Sequence, residues 1–424
     1  MREEYLLALL MLGLVAVVEI CTRNHPKWWA PALLLAAVAG SLVAGMGIRC
    51  REIVEGPFGF LDALLPCVVA MIFLRVLKDG GAWDRLFARL QGKSPLLTSF
   101  GMLLFLALPG MLTGFAAASV LMSAKPVYEL LMKKGASKAK AVGFIAVGAF
   151  LGMMLPPNCA PAIVASNGAG SVLPTPYVGF FLPLLVLSAP AFLLFGILSA
   201  PLFQGENGTA EKKRGFLPLL PLLAVILLVL VDGLLGSYVY VGGQALIFLV
   251  GVVLAFLLPT ERRGPKAAFD TLIQGVTDIA VPVAAVFALG SFIEVSSMNG
   301  IRGIFSYHIL PYSVTAVMLV LMAISVVLGF FLSAPLPAFL ITYAVFPIGW
   351  LANTVIVTGC AAAVGVALLI ACRGGVISRV KEELGVEDVS YGQTVEQLLL
   401  PALLMLIMGV VMVVFGDKMT GIIL

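Results

Sequence analysis

Four stretches of an otherwise strongly apolar chain are interrupted by proline, glycine and small polar residues, and they fall into two pairs. The first pair is Leu108-Pro109-Gly110-Met111-Leu112-Thr113-Gly114, followed by Leu155-Pro156-Pro157-Asn158. The second is Gly329-Phe330-Phe331-Leu332-Ser333-Ala334-Pro335-Leu336-Pro337, followed by Cys372-Arg373-Gly374-Gly375. With 61% hydrophobic and 11% charged residues and a mean hydropathy of +1.11, the chain reads as a polytopic membrane protein. A helix broken at mid-membrane leaves N–H and C=O groups that lipid cannot satisfy. Such breaks survive only inside protein or beside a watery cavity. Breaks at corresponding places in two halves mark the binding region of a secondary transporter.

The polar stretches at 203–216 and 260–266 are too short to be domains. Residues 5–20 read as a retained first helix, because Glu19 and Cys21 stand where a signal peptidase needs small residues. The six cysteines (21, 50, 67, 159, 360, 372) lack metal-ligand spacing. With only His25 and His308 beside them, no zinc or haem set is expected, and no other cofactor. No HExxH, GxSxG or nucleotide-binding loop occurs, which argues against an enzyme and against ATP-driven transport by this chain. A charged or carbonyl-ring channel signature is also missing, and no nucleic-acid partner is expected.

Apolar runs suited to spanning occur near 5–21, 28–47, 56–77, 177–200, 217–236, 241–259, 272–297 and 397–416. The stretches 95–170 and 312–380 are ambiguous, and charge decides between two assignments. Let 95–134 be a re-entrant hairpin with its tip at 112–114, and 138–170 one crossing broken at Pro156-Pro157. Let 312–350 and 353–380 repeat the arrangement. Eighteen lysines and arginines then lie on one side, Lys133, Lys134, Lys138 and Lys140 among them. Five (Arg2, Arg49, Arg51, Arg302, Lys418) lie on the other, with Arg75, Lys125 and Arg373 at membrane depth. Exchanging hairpin and crossing spoils this bias, so the positive-inside rule favours the first assignment and places both termini outside the cytoplasm. The competing arrangement is a set of plain spanning helices with chance kinks.

The halves echo each other. Asp62 with Pro66 recurs as Asp278 with Pro282, each expected to open an apolar helix with the carboxylate capping free N–H groups. Amphipathic stretches follow at Ala82–Leu90 and Ile301–Ile309, then the tips Leu112-Thr113-Gly114 and Leu332-Ser333-Ala334. Five crossings per half, an odd number, make the repeats inverted. The expected fold is all-α: a first inverted repeat over 1–202, a cytoplasmic linker at 203–216 and a second repeat over 217–424, each with one hairpin.

Helix N-termini exposed at the breaks carry about half a positive charge each and together suit an anion. Thr113, Gly114, Ser119, Asn158, Ser333, Arg373 and Gly374 are the candidate substrate-binding residues. Freed oxygens at Gly110, Thr113, Pro156, Ser333, Ala334 and Pro337 suit a hard cation such as sodium. Close helix packing by small residues is the plainer account of these tips. Arg373 either holds a carboxylate in a bidentate fork or snorkels to the cytoplasmic surface, as Arg379 is expected to do. Arg75, Lys125, Asp232 and Glu294 read as interfacial or mutually paired, and Trp28, Trp29, Tyr238 and Tyr240 as an aromatic belt.

Three stretches carry a family resemblance: Leu112-Thr113-Gly114-Phe115-Ala116-Ala117-Ala118-Ser119, Lys133-Lys134-Gly135-Ala136-Ser137 and Gly152-Met153-Met154-Leu155-Pro156-Pro157-Asn158. The run is similar to that of the large membrane subunit of the TRAP (tripartite ATP-independent periplasmic) transporters, within the ion transporter superfamily. Where that family usually has an acidic second tip and a Pro-Pro-x-Gly break, this chain has Ser333 and Arg373-Gly374-Gly375. The resemblance implies a bacterial inner-membrane protein in which a transport domain slides against a scaffold like an elevator. It implies small organic anions, dicarboxylates or sugar acids, as substrates, with sodium as the coupling ion. A small membrane subunit, a periplasmic binding protein and a homo-oligomer are the partners it brings into view. A cation/proton antiporter or oxyanion exporter on a related fold is the competing function.

Overall fold

Helices start where the chain supplies caps. Ser94, Ser137, Asn353 and Ser390 each accept a backbone N–H from the first turn of the helix that follows, and left-handed Gly81 and Gly300 precede two nine-residue helices. The computed structural model describes residues 2–23, 25–91, 94–166, 177–204, 217–235, 243–258, 264–331 and 353–423. The first half contains α1 (Arg2–Cys21), α2 (Trp29–Val43), α3 (Cys50–Asp79), α4 (Ala82–Leu90), α5 (Pro95–Thr113), α6 (Ala116–Lys133), α7 (Lys138–Met154), α8 (Ala160–Ser166) and α9 (Phe181–Leu198). The second contains α10 (Leu220–Leu235), α11 (Gln244–Leu257), α12 (Pro265–Met298), α13 (Ile301–Ile309), α14 (Val314–Phe331), α15 (Thr354–Ile370), α16 (Val376–Leu384), α17 (Tyr391–Val414) and α18 (Gly416–Ile423). There is no strand among the described residues. Among the described residues, nine helical segments are long and apolar enough to cross a membrane.

The two halves repeat in length and in contacts. The series α3–α4–α5 has 30, 9 and 19 residues, and α12–α13–α14 has 34, 9 and 18. Packing between the halves is reciprocal. α2 meets α12 as α11 meets α3, α7 meets α17 as α15 meets α9, and α8 meets α15 as α16 meets α7. Contacts that occur twice with roles exchanged are the mark of a two-fold relation. α7 and α15, apolar all round, are buried over 141–154 and 354–367 and form the centre.

α3 and α12 make the most extensive pair. Gly56 and Gly290 let them touch: a Cβ on Gly56 would stand 2.4 Å from the Gly290 carbonyl oxygen, and one on Gly290 would stand 2.5 Å from that of Gly56. Polar groups join the same pair further along. Arg75 reaches Asp278 at 3.3 Å and Gln274 at 2.6 Å, and the Thr271 hydroxyl donates to Asp79 at 2.9 Å. A cation at membrane depth is thus held by partners.

Prolines inside these helices do not end them. A proline strips the carbonyl four residues earlier of its helical donor, and at three places another element supplies one. For Pro57 the open acceptor is Ile53, which receives the Ser291 hydroxyl at 2.6 Å. For Pro109 it is Phe105, which receives Ser123 at 2.9 Å. For Pro126 it is Met122, which receives the Trp83 indole at 3.1 Å. Two expectations are corrected accordingly. Asp62 and Asp278 do not cap helix starts, because α3 and α12 begin at Cys50 and Pro265 and run through Pro66 and Pro282. Trp29 is not part of a surface belt: it is buried, while Trp28 is exposed.

Candidate functional site

α5 and α6 pack as a hairpin that turns at Gly114 and Phe115. Gly114 takes a left-handed conformation (φ +76°), the usual way to end a helix without steric cost, and its N–H reaches the Gly110 carbonyl at 2.6 Å. The Thr113 hydroxyl donates to the Pro109 carbonyl at 2.7 Å and accepts the Phe115 N–H at 3.3 Å. Ser119 accepts the Gly110 N–H at 2.8 Å. It lies one turn before Ser123, so two serines on one face of α6 serve the Pro109-Gly110 irregularity of α5.

α7 stops at Leu155, because Pro156 and Pro157 have no N–H to continue it. The broken segment docks onto the hairpin tip. Asn158 donates its N–H to the Met111 carbonyl at 3.2 Å and its side-chain amide to the Leu112 carbonyl at 2.6 Å. The Ala160 N–H meets the Gly114 carbonyl at 3.0 Å. Gly110, Thr113, Gly114, Ser119, Pro156 and Asn158 therefore form one buried joint. Of the carbonyls expected to stand free over 110–114, those of Gly110, Met111, Leu112 and Gly114 each accept a protein donor. A cation here would share their second lone pairs.

Beside this joint lies an open cavity, with about 910 Å³ of space when its mouth is included. One wall is α2 with α12: Trp29, Pro282, Val286 and Leu289. The other is Phe115 and Val120 from the hairpin, Ala160 and Val164 after the break, Val364 from α15, and Gly374 to Val376 at the second break. α6 and α16 both begin here, and neither has a side-chain cap hydrogen bond. A second, more polar pocket adjoins, lined by His25, Lys27, Glu382 and Glu383, and the two share Val120, Val281 and Arg379.

Thr113, Ser119 and Asn158 face the joint and do not line the cavity. Gly374, left-handed at φ +70°, does line it, whereas Arg373 is exposed and does not. Ser333, Ala334 and Pro337 lie outside the described residues. Arg379, expected to snorkel to the surface, lines both pockets. Its signal in the sequence was spacing: Arg379 and Val376 are three apart in a helix that starts at the break, so they share a face. Phe115 and Trp29 were also missed as lining residues, Phe115 because an apolar residue at a turn looks like core.

No protein-family model matches the chain, and no curated protein matches it. Among solved structures it is similar to the Alcanivorax borkumensis YdaH transporter, whose topology is described as unusual. The likeness has a TM-score of 0.61 at 12% identity, over 93% of this chain and 98% of that one. At that identity the likeness concerns the fold: the chain is a multi-pass, all-α protein with a membrane-transporter fold.

Proposed function

We propose that this chain is a secondary active transporter that imports a small organic anion with sodium, by an elevator movement, across a bacterial inner membrane. The observation that carries the proposal is the cavity between two walls of different construction. The α2–α12 side belongs to a unit of long helices locked by the Gly56–Gly290 crossing and the Arg75 ion pairs. The opposite side consists of interrupted elements stitched into one body by the bonds of Asn158, Ala160, Ser119 and Ser123. A stitched body can slide as a unit along a rigid one and carry the pocket with it. The reciprocal contacts suit inverted repeats related by an axis in the membrane plane, and the lysine and arginine distribution in the sequence favours both termini outside. On this proposal the likeness to TRAP large subunits extends to function, and a small membrane subunit, a periplasmic binding protein or a second copy of the chain are partners to seek by co-purification.

Purified protein in liposomes tests it. An inward sodium gradient should drive uptake of organic acids, and replacing sodium by potassium should abolish it. Absence of anion uptake under every cation gradient would overturn the proposal. Antiport of protons is disfavoured, because no carboxylate lines the inner cavity among the described residues.

A further inference from the structure

The lining of the cavity narrows the substrate, provided the transporter reading holds. Among the described residues that line it, Arg379 alone carries a charge, and none contributes a side-chain hydroxyl, amide or carboxylate. The remaining side-chain surface is Phe115, Met153, Val281, Pro282, Leu368 and similar apolar groups, with the Trp29 indole N–H as its one unpartnered polar donor. Arg379 also borders the polar pocket of His25, Lys27, Glu382 and Glu383, so its side chain stands at the neck between wet and dry compartments. Glu383 is engaged by Lys125 at 3.1 Å. Among the described residues no carboxylate lies within ion-pair distance of the Arg379 guanidinium.

We propose that the cavity binds an organic monoanion with an apolar body, an aromatic or branched aliphatic carboxylate. Its carboxylate sits on Arg379 at the neck, and its body lies against Trp29, Phe115 and the α12 wall. The guanidinium is built for this task, since its planar fork pairs with both carboxylate oxygens. The two other anion classes meet a penalty. A sugar acid would bury several hydroxyls against a surface that offers one side-chain donor, the Trp29 indole N–H, and each buried hydroxyl left unpaired is costly. A dicarboxylate would leave its second charge in apolar surroundings, where an unpaired ion is costlier still. The uncapped first turns of α6 and α16 add backbone donors near the carboxylate end without changing this ranking.

Binding decides the matter more cleanly than uptake, because apolar acids also cross bilayers unaided. The intact protein, in detergent with sodium chloride, is titrated with phenylacetate, 4-methylpentanoate, succinate and gluconate. Thermal unfolding and tryptophan fluorescence are followed. The two apolar monoanions should raise the unfolding temperature and change the fluorescence, and succinate and gluconate at equal concentration should not. Trp29→Phe should remove the fluorescence change. Arg379→Gln should weaken phenylacetate binding about tenfold or more, the usual loss for a charge-assisted contact, and Arg379→Lys should weaken it less. Gluconate or succinate binding as tightly as phenylacetate to the unaltered protein would overturn the proposal, as would unchanged affinity in Arg379→Gln. The ranking on unaltered protein stands even if the Arg379 variants do not fold. Sodium-driven uptake of gluconate would sink this inference and leave the transporter reading standing. Silence toward every anion in both binding and uptake would sink both.

Discussion

The Ser123 hydroxyl donates to the Phe105 carbonyl at 2.9 Å, filling the acceptor that Pro109 leaves open. The same pairing of a helix proline with an outside donor recurs at Pro57 with Ser291 and at Pro126 with Trp83. Each donor allows a proline to lie within a membrane helix without exposing a bare carbonyl to lipid.

Ser123→Ala should therefore destabilise the protein by about 1 kcal/mol, the usual range for one such bond. In a Pro109→Ala background the cost should shrink, because the new N–H at 109 serves Phe105 directly. Unfolding in detergent measures both. Equal cost in the two backgrounds would remove proline from the explanation.

Gly56→Ala and Gly290→Ala should each be strongly disruptive. The added methyl would stand 2.4–2.5 Å from a backbone oxygen, and backbone cannot swing aside as a side chain can. α3 and α12 would have to separate, which overpacking costs put at about 1–3 kcal/mol. Gly303→Ala, with open space around its Cβ position, is the control. Size-exclusion profiles of the three variants test the claim, and a normal profile for Gly290→Ala would contradict it.

Lys138 holds Asp388 at 2.7 Å and keeps its carboxyl below the usual carboxylate range through that hydrogen bond. A carboxylate lowered on folding stabilises above its ordinary pKa, and the contribution disappears as pH falls through the lowered value. Asp388→Asn should therefore flatten part of the acid limb of stability below about pH 4. The effect should be small and fade with added salt, since both side chains are exposed. Melting temperatures against pH at low and high salt check this.

Val120 and Val281 border both pockets from opposite walls, α6 and α12. In a background lacking the exposed Cys21, Cys50 and Cys372, cysteines at 120 and 281 joined by a short cleavable cross-linker should stop uptake. Cleavage should restore it. Transport that continues at full rate while the two walls are joined would exclude sliding between them.

Much of the chain's punctuation was legible from residues alone. The Gly114 turn and the breaks after Met154 and Ile370 fall on the proline and glycine runs, because a missing N–H and a left-handed φ act the same way in any surroundings. The helices Ala82–Leu90 and Ile301–Ile309 were equally visible from their amphipathic spacing. Local logic failed at Asp62 and Asp278, where a proline one turn later suggested a helix start. It also favoured Arg373, which is next to the break in sequence, over Arg379, which is next to the cavity in space.

The sequence by itself determined that this chain spans a membrane, and where the described helices break at Gly114, Pro156 and Gly374, because those properties depend on composition and on backbone chemistry within a few residues. Only the tertiary structure decided which carbonyl each serine or indole would serve, that Trp29 and Arg379 would meet at one cavity, and that Thr113, Ser119 and Asn158 would close a joint. Those outcomes depend on packing between separate helices, some of them hundreds of residues apart, and an apolar face carries no mark of which partner will cover it.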